Sequence, residues 1–300
     1  MIDRRLFLLG TVALASAGWA IPAELSPARF ERIRSRLGPG ARLGVGLFDM
    51  MSERTAGFEA DSRFPLGSTF KVPLVAAVLE RIDRDEMTLS QQVAVAAGDI
   101  VEYAPVVRRR LRQGRMRLND LCAAAVVDSD NSAANLLLRE IGGPESFNAF
   151  VRRCGDRVTR LDRYEPELNL VDAGGERDST TPAAMAGLVH ELLAGDILSR
   201  DSRSRLSEWM QRPIRLRIRL RADLPPPSGG ADRGVAAAGE IDRLYPRGQG
   251  AVIVAAYIAG GDSRPMAREA AFESVARAVA AAMPGSALPS DPPEISYPIG

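Results

Sequence analysis

Strand-like segments lie near both ends of this chain, and helical patterns occupy most of the sequence between them. The strand-like segments are RLGVGLFDM (42–50), TAGFEADSRF (55–64), GEIDRLY (239–245) and GAVIVAAYIAG (250–260). Because strands that are far apart in sequence can complete one sheet, we predict a sheet-containing domain built from residues 24–62 and 213–285. A helical domain, residues 63–212, is inserted into it, and a cleft between the two is the natural place for a binding site.

Helices are predicted at both ends of the sheet-containing domain and throughout the inserted part. SPARFERIRSRLG has Ser26 as its cap, proline at the first helical position and Gly38 after its end. Helical periodicity runs from Ser68 to about residue 193, with a loop-like break at 162–182, and an Ala-rich helix is predicted over 266–283. The hydrophobic content of 46% is sufficient for a sizeable core.

Residues 1–20 are typical of an export signal, which predicts a periplasmic mature protein. Arg4 and Arg5 precede an apolar run, Leu6 to Ala15, that is too short to span a membrane. The paired arginines favour a twin-arginine signal, and an ordinary secretory signal with two positive charges is the alternative. At the other end, the proline-rich residues 286–300 are predicted to be disordered.

The charge balance argues against a polyanionic partner. The 39 basic and 38 acidic residues give a net charge of +1, so we expect neither nucleic acid nor an anionic membrane to be bound. A small-molecule substrate is the expected partner.

Lys71 is the only lysine, so every other basic residue is an arginine. Lysine can lose its proton in a suitable environment whereas arginine stays charged, which makes Lys71 a candidate titratable amine. Chance survival during a drift towards arginine is the alternative. His190 is the only histidine and lies in a helical pattern, and Cys122 and Cys154 lack metal-like spacing. We therefore expect no metal site, no Ser-His-Asp triad and two buried free thiols.

A serine and the lysine are spaced three residues apart at the start of an apolar helix. In S-T-F-K, Ser68 and Lys71 share one helix face, where a neutral lysine can take the serine proton. The unpaired N–H groups of a helix N-terminus also favour an oxyanion. A simple helix cap beside an exposed lysine is the alternative.

Two further polar segments carry groups suited to the same chemistry. V-D-S-D-N-S (127–132) offers Ser129 as a proton relay and Asn131 as an amide that can bind a substrate carbonyl. R-Y-E-P-E-L-N (163–169) offers Glu165 and Asn169, a carboxylate base and an amide that could hold a water between them. An ordinary turn and a polar surface loop, respectively, are the alternatives.

Together these segments resemble the class A serine β-lactamases, whose signatures include S-x-x-K, S-D-N and K-T-G. Longer stretches are also similar, among them VEYAPV, LCAAAVVDSDNSAANLLLREIGGPESFNAFV, GDRVTRLDRYEPELN and ERDSTTPAAMA, and the similarity covers roughly residues 24–285. The resemblance implies an α+β fold in which an antiparallel sheet is flanked by the N- and C-terminal helices and an all-helical domain is inserted. It also implies a monomer that uses no cofactor.

The resemblance further implies a reaction in two steps. Ser68 is the expected nucleophile, and Lys71 and Glu165 are both candidate bases for acylation. Ser129 is expected to pass a proton to the departing lactam nitrogen. Glu165 with Asn169 is then expected to activate the hydrolytic water, which distinguishes a lactamase from a penicillin-binding protein that stays acylated.

Other matching positions are expected to shape the cleft. Asn131 is expected to bind the side-chain amide of the substrate, and Tyr103 to form an aromatic wall. Arg163 and Asp178 are expected to form an ion pair that pins the loop carrying the carboxylate base. The Glu165–Pro166 peptide is expected to be cis.

The third signature departs from the family pattern. Arg233, Gly234 and Val235 stand where the family has K-T-G, so a positive charge remains but the threonine-type hydroxyl is lost. The N–H of Ala236 is expected to serve as an oxyanion donor beside that of Ser68. The arginine that usually follows on the next strand has no evident counterpart, and four positions remain open for its role: Arg215, Arg217, Arg219 and Arg221.

Three functions are compatible with these residues. The first is β-lactam hydrolysis, with a substrate preference altered by the third signature. The second is a D-Ala-D-Ala peptidase or esterase that uses the same serine and lysine, and the third is a periplasmic β-lactam binder that has lost turnover. The Glu165 and Asn169 pair favours the first.

Overall fold

The computed structural model describes residues 25–170, 175–211, 237–244, 251–261 and 264–282. In chain order the helices are α1 (Pro27–Ser35), α2 (Lys71–Asp83), α3 (Val107–Arg110), α4 (Leu118–Val127), α5 (Asn131–Glu140), α6 (Gly143–Arg153), α7 (Pro182–Ala194), α8 (Arg200–Gln211) and α9 (Pro265–Ala281). The strands are β1 (Arg42–Asp49), β2 (Thr55–Phe58), β3 (Phe64–Pro65), β4 (Gln92–Ala94), β5 (Arg115–Arg117), β6 (Ser179–Thr180), β7 (Ala237–Leu244) and β8 (Val252–Ala259).

A four-stranded antiparallel sheet joins the N-terminal and C-terminal parts of the chain. Its strand order is β2-β1-β8-β7. β1 pairs with β8 along its whole length, from Arg42 opposite Ala259 to Asp49 opposite Val252. β7 pairs with the other edge of β8 over the same eight residues. The segment that leaves the sheet after β2 and returns at β7 contains helices α2 to α8.

Helices pack on both faces of this sheet, and successive residues of β8 point to opposite faces. On one face, Ile258 of β8 belongs to an apolar cluster with Phe30 of α1 and Phe272 of α9. On the other face, Ile253 and Tyr257 belong to the cluster formed by the intervening helices. Burying each of these large side chains contributes about 1.5–3 kcal/mol, so both faces stabilise the sheet.

Helix α2 runs through the centre of the helical part. Its sequence KVPLVAAVLERID is apolar on nearly all sides, and a helix of that kind is expected to be buried. Helices α4, α5, α6, α7 and α8 all contact it. This burial includes two ionisable residues, Lys71 at the first helical position and Glu80 near the other end.

The predicted fold class is confirmed, because the antiparallel sheet is flanked by α1 and α9 and the other helices lie between β2 and β7 in sequence. The predicted second strand was too long. β2 ends at Phe58 because Glu59 has a left-handed backbone (φ 47°) and Ser62 closes a turn onto it, and Phe64 then starts a separate short strand.

Two of the predicted segments lie outside the described residues: the export signal 1–20 and the tail 286–300. The domain boundaries also stay predictions. Among the residues that are described, no helix is long and apolar enough to cross a membrane. Cys122 and Cys154 are both free thiols, but only Cys122 is fully buried. His190 lies on α7 as expected, half-buried, with its ring stacked on Phe48.

Candidate active site

Ser68 lies in a tight turn that leads directly into α2. The turn is a 3₁₀ segment, Gly67–Phe70, and its glycine has a left-handed backbone (φ 49°) that side chains other than glycine rarely adopt. Because Lys71 follows three residues after Ser68, its Nζ lies 3.1 Å from the Ser68 Oγ. The turn therefore presents a hydroxyl directly beside a buried amine.

The Lys71 amine is the centre of a dense polar cluster. Its Nζ lies 2.9 Å from the Ser129 carbonyl oxygen, 3.1 Å from the Ser129 Oγ, 2.5 Å from the Asn131 Oδ1 and 3.4 Å from the Glu165 Oε1. With Ser68 this makes five oxygen neighbours, whereas an ammonium group has only three N–H donors. A neutral amine, with two donors and one lone pair, can accept from a serine hydroxyl instead.

Burial lowers the pKa of the Lys71 amine below its ordinary value. The carboxylates of Glu165 and Asp130 act in the opposite direction but do not reverse the shift. The environment therefore increases the fraction of neutral amine, which is the form that can act as a base.

The Ser129 to Asn131 loop brings a second hydroxyl and an amide to the same place. Ser129 has a left-handed backbone (φ 53°), and its Oγ donates to the Ser68 Oγ at 2.9 Å. The buried Asp130 carboxylate accepts the backbone N–H groups of Val106, Val107 and Ala133, so it caps α5 and ties the loop to the start of α3. This network fixes where Ser129 points.

Asn131 connects the cluster to the segment that carries Tyr103. Its backbone N–H donates to the Tyr103 carbonyl at 3.0 Å, and its Nδ2 donates to the Glu102 carbonyl at 3.0 Å. The Tyr103 side chain remains 43% exposed. The Tyr103 backbone is therefore held next to the buried polar groups, while its side chain is partly exposed.

Glu165 is buried on the other side of Lys71. Its Oε2 accepts a hydrogen bond of 2.6 Å from Asn169 Nδ2, so the predicted carboxylate and amide lie side by side. Asn135 on α5 accepts the Glu165 N–H at 2.9 Å and donates to the Glu165 carbonyl at 2.8 Å. The Glu165–Pro166 peptide is cis, as expected.

The Arg163 and Asp178 ion pair closes the base of the loop that carries Glu165. Arg163 Nε lies 2.5 Å from Asp178 Oδ2, and Asp178 Oδ1 accepts the backbone N–H groups of Asp162 and Arg163. The predicted ion pair is confirmed. Among the described residues, no group of three or more His, Cys, Asp and Glu side chains is placed to bind a metal.

Comparisons with known proteins agree with this geometry. Residues 31–283 match the sequence model of the β-lactamase enzyme family. A structure of the class A β-lactamase of the last common ancestor of Gram-negative bacteria (GNCA4) is 40% identical, with a TM-score of 0.78, and the match covers 85% of this chain and 98% of that chain. A β-lactamase from Xanthomonas campestris pv. campestris is 39% identical, with a TM-score of 0.78, over 87% of this chain and 98% of that chain. The chain belongs to the class A β-lactamases.

The predicted site residues of this β-lactamase family member fall into two groups. One group lies together in the described part of the structure: Ser68, Lys71, Tyr103, Ser129, Asn131, Glu165 and Asn169. The other lies outside the described residues: Arg233, Gly234, Val235 and Ala236, together with the alternatives Arg215, Arg217, Arg219 and Arg221.

Sequence reasoning missed the supporting residues. Asn135 holds the Glu165 backbone and Asp130 holds the Ser129 loop, yet neither was given such a role. A signal for Asn135 does exist, because it follows Asn131 by four residues and so shares its helix face. No comparable pattern indicates Tyr257, which reaches the nucleophile turn from β8.

Proposed function

We propose that this chain hydrolyses the β-lactam amide bond of penicillin- and cephalosporin-type compounds through an ester on Ser68. The observation that carries the proposal is the position of Glu165. Its buried carboxylate contacts Asn169 and lies 3.4 Å from the Lys71 amine, which in turn lies 3.1 Å from the Ser68 hydroxyl. Hydrolysis in two steps requires a proton acceptor for each step, and this cluster contains two.

In acylation, the Ser68 Oγ forms a bond to the lactam carbonyl carbon, and the carbon–nitrogen bond of the ring breaks. The hydroxyl proton passes to the Lys71 amine, or to Glu165 through a water. The leaving nitrogen takes a proton from Ser129, whose Oγ is 2.9 Å from Ser68 and 3.1 Å from Lys71, and Ser129 regains a proton from the Lys71 ammonium. These distances support Ser129 as the relay, because it contacts both the nucleophile and the amine.

In deacylation, a water attacks the ester carbon and the bond to the Ser68 Oγ breaks. Glu165 takes a proton from that water, and this proton returns to the Ser68 oxygen through the Lys71 amine, which leaves the carboxylate and the serine in their starting states. The bond from Asn169 Nδ2 to Oε2 fixes the orientation of the carboxylate, so its other oxygen faces Lys71. This arrangement supports turnover in preference to permanent acylation.

Asn131 and Tyr103 are proposed to contact the substrate. The Asn131 Oδ1 contacts Lys71 and one of its two Nδ2 hydrogens is donated to the Glu102 carbonyl, which leaves one N–H for a substrate carbonyl. The exposed Tyr103 ring is proposed to cover one wall of the cleft.

The third signature is proposed, from sequence, to alter substrate preference. Arg233 retains a charge that attracts the substrate carboxylate, and Val235, next to Gly234, adds a side chain where the substrate lies. Ala236 donates its N–H to the oxyanion. We further propose that the mature protein is a monomer that confers antibiotic resistance. Its proposed location is the periplasm, which the sequence of residues 1–20 supports.

Hydrolysis of benzylpenicillin and of a chromogenic cephalosporin by the mature protein tests the proposal. Ser68→Ala is expected to abolish turnover and the adduct detected by mass spectrometry. Glu165→Gln keeps the size of the side chain but removes the base, so an adduct on Ser68 is expected to accumulate. Glu167→Gln, on an exposed carboxylate of the same loop, is the matched control and is expected to hydrolyse normally.

Other outcomes assign a different function. A long-lived adduct on the unaltered protein would identify a β-lactam binder. Absence of both turnover and adduct would contradict β-lactam chemistry at Ser68, and the altered third signature would then be the first region to restore.

A further inference from the structure

A buried tyrosine of the sheet is hydrogen-bonded to the turn that carries Ser68. Tyr257 on β8 is fully buried, and its hydroxyl donates to the Thr69 Oγ1 at 2.9 Å. Thr69 Oγ1 in turn donates to the Leu66 carbonyl at 2.6 Å. Leu66 and Thr69 bracket Ser68, so this chain of two hydrogen bonds ties the nucleophile turn to the sheet.

The same turn is held from the opposite side by the loop that carries Glu165. The Leu66 N–H donates to the Asp178 carbonyl at 2.8 Å, and Asp178 is the partner of Arg163. The turn is thus fixed between two bodies, the sheet through Tyr257 and the loop through Asp178. Of these two contacts, the one to the sheet is made through side-chain hydroxyls and the one to the loop through backbone groups.

Packing fixes the direction of the Tyr257 hydroxyl. Gly239 of β7 lies directly opposite Tyr257 in the strand pairing. A Cβ at Gly239 would lie 2.6 Å from the Tyr257 ring and 3.0 Å from the Thr69 methyl group, so the ring and the methyl group fill that space together. The Phe64 ring stacks on the Tyr257 ring with centroids 5.9 Å apart. These neighbours pack against the Tyr257 ring and hold its hydroxyl towards Thr69.

Burial also raises the pKa of the Tyr257 hydroxyl, although its bond to Thr69 acts in the opposite direction. The hydroxyl therefore remains protonated, and remains a donor, throughout the pH range in which a hydrolase is assayed.

We propose that Tyr257 is a positioning residue for acylation, which acts through Thr69 to hold the Ser68 hydroxyl at proton-transfer distance from the Lys71 amine. The proposal rests on the proposed function of Ser68. Once the acyl group is attached, its own contacts help to hold the serine oxygen in place. Loss of the Tyr257 bond is therefore expected to slow acylation more than deacylation.

Three substitutions isolate the bond. Tyr257→Phe removes only the hydroxyl, Thr69→Val removes the acceptor at nearly constant size, and Thr69→Ser keeps the hydroxyl. With benzylpenicillin, kcat/KM is expected to fall about tenfold in the first two, because small displacements of reacting groups cost rate steeply. Thr69→Ser is expected to retain most of kcat/KM, and the Tyr257→Phe/Thr69→Val double variant to be no slower than either single variant. The decay of the Ser68 adduct is expected to change less than about twofold in all of them.

A variant on the opposite face of β8 controls for simple destabilisation. Ile258→Val removes one buried methyl group from the other apolar cluster, and we expect it to lower Tm by about 2–4 °C, as Tyr257→Phe does. Its kcat/KM is expected to equal that of the unaltered protein.

Two results would overturn the inference without touching the proposed function: an unchanged kcat/KM in Tyr257→Phe while Ser68→Ala is inactive, or an equal loss in Ile258→Val. Absence of any adduct on the unaltered protein would overturn the proposed function and this inference with it.

Discussion

Helix α2 carries two buried charge clusters, and they differ in the kind of cation that each contains. Near its start, the Lys71 amine faces Glu165, and their side chains are only 2% and 1% exposed. Near its other end, the Glu80 carboxylate is 6% exposed, but its partners Arg84 and Arg153 are 51% and 44% exposed. In the first cluster both charged side chains are buried, whereas in the second the two cations reach solvent.

The difference indicates that the Lys71 cluster serves proton transfer and that the Glu80 cluster serves stability. Burying both charges of a pair is expensive, and it is tolerated where a group must change protonation state. Lysine can do so, and the two serine hydroxyls beside Lys71 can exchange protons with it. A guanidinium cannot lose its proton, so Arg84 and Arg153 can only hold Glu80 in place, and Arg153 also links α2 to α6. In a chain with a single lysine, that lysine occupies the cluster that requires a titratable amine.

Lys71→Arg is expected to give the largest effect, because it converts the first cluster into the kind found at Glu80. The positive charge is kept but the group can no longer accept a proton, so kcat/KM for benzylpenicillin is expected to fall about 10³-fold. Rates of adduct formation, together with Tm to verify folding, measure the effect.

Near-normal acylation in a folded Lys71→Arg variant would assign the acylation base to Glu165. Because the larger guanidinium can itself disturb the buried site, Lys71→Met provides a second test. It is expected to acylate as slowly as the arginine variant.

Glu80→Gln is expected to lower stability without affecting turnover. It weakens charge-assisted hydrogen bonds to Arg84 and Arg153, and we expect about 1–2 kcal/mol of destabilisation, limited because both guanidinium groups remain partly solvated. Urea unfolding measures the loss, and the exposed Glu86→Gln is the matched control. A fall in kcat/KM beyond about twofold would show that the two clusters are coupled through α2.

The pH dependence of stability sharpens the comparison further. The pKa of Lys71 is lowered by burial from a reference value of 10.5. Between the lowered pKa of the folded protein and 10.5, the unfolded chain binds more protons at Lys71 than the folded chain does. In this pH range the contribution of Lys71 makes the unfolding free energy rise with pH. At pH values below the lowered pKa, the buried charge reduces the unfolding free energy by its full amount. The unfolding free energy of the unaltered protein should therefore increase relative to Lys71→Met as pH rises towards 10.5. Parallel curves in urea titrations at several pH values would contradict the lowered pKa.

Sequence patterns predicted the local parts of the site better than the long-range parts. The spacing of Ser68 and Lys71 indicated their contact because three residues make about one helical turn. Residue chemistry suggested Ser129 and Glu165, but only the family resemblance placed them with Lys71, because their distance to it depends on how α5 and the loop pack. Nothing in the local pattern of β8 indicates that Tyr257 reaches Thr69, 188 residues away in sequence. Such contacts follow from strand order and register, which a local pattern does not encode.

The smallest effect is expected from Arg84→Lys, the converse of the first substitution. Arg84 is half exposed and donates a single hydrogen bond to Glu80, a bond that a lysine ammonium can also make. Because exposed ion pairs contribute little, the change is expected to alter stability by less than about 0.5 kcal/mol and to leave kcat/KM unchanged. Urea unfolding and hydrolysis measurements on Arg84→Lys and Lys71→Arg compare opposite exchanges of lysine and arginine at the two ends of α2. Equal losses from both would mean that neither burial nor the ability to titrate distinguishes Lys71 from Arg84. If Arg84→Lys changes neither stability nor kcat/KM while Lys71→Arg is folded but inactive, the first cluster needs a cation that can give up its proton.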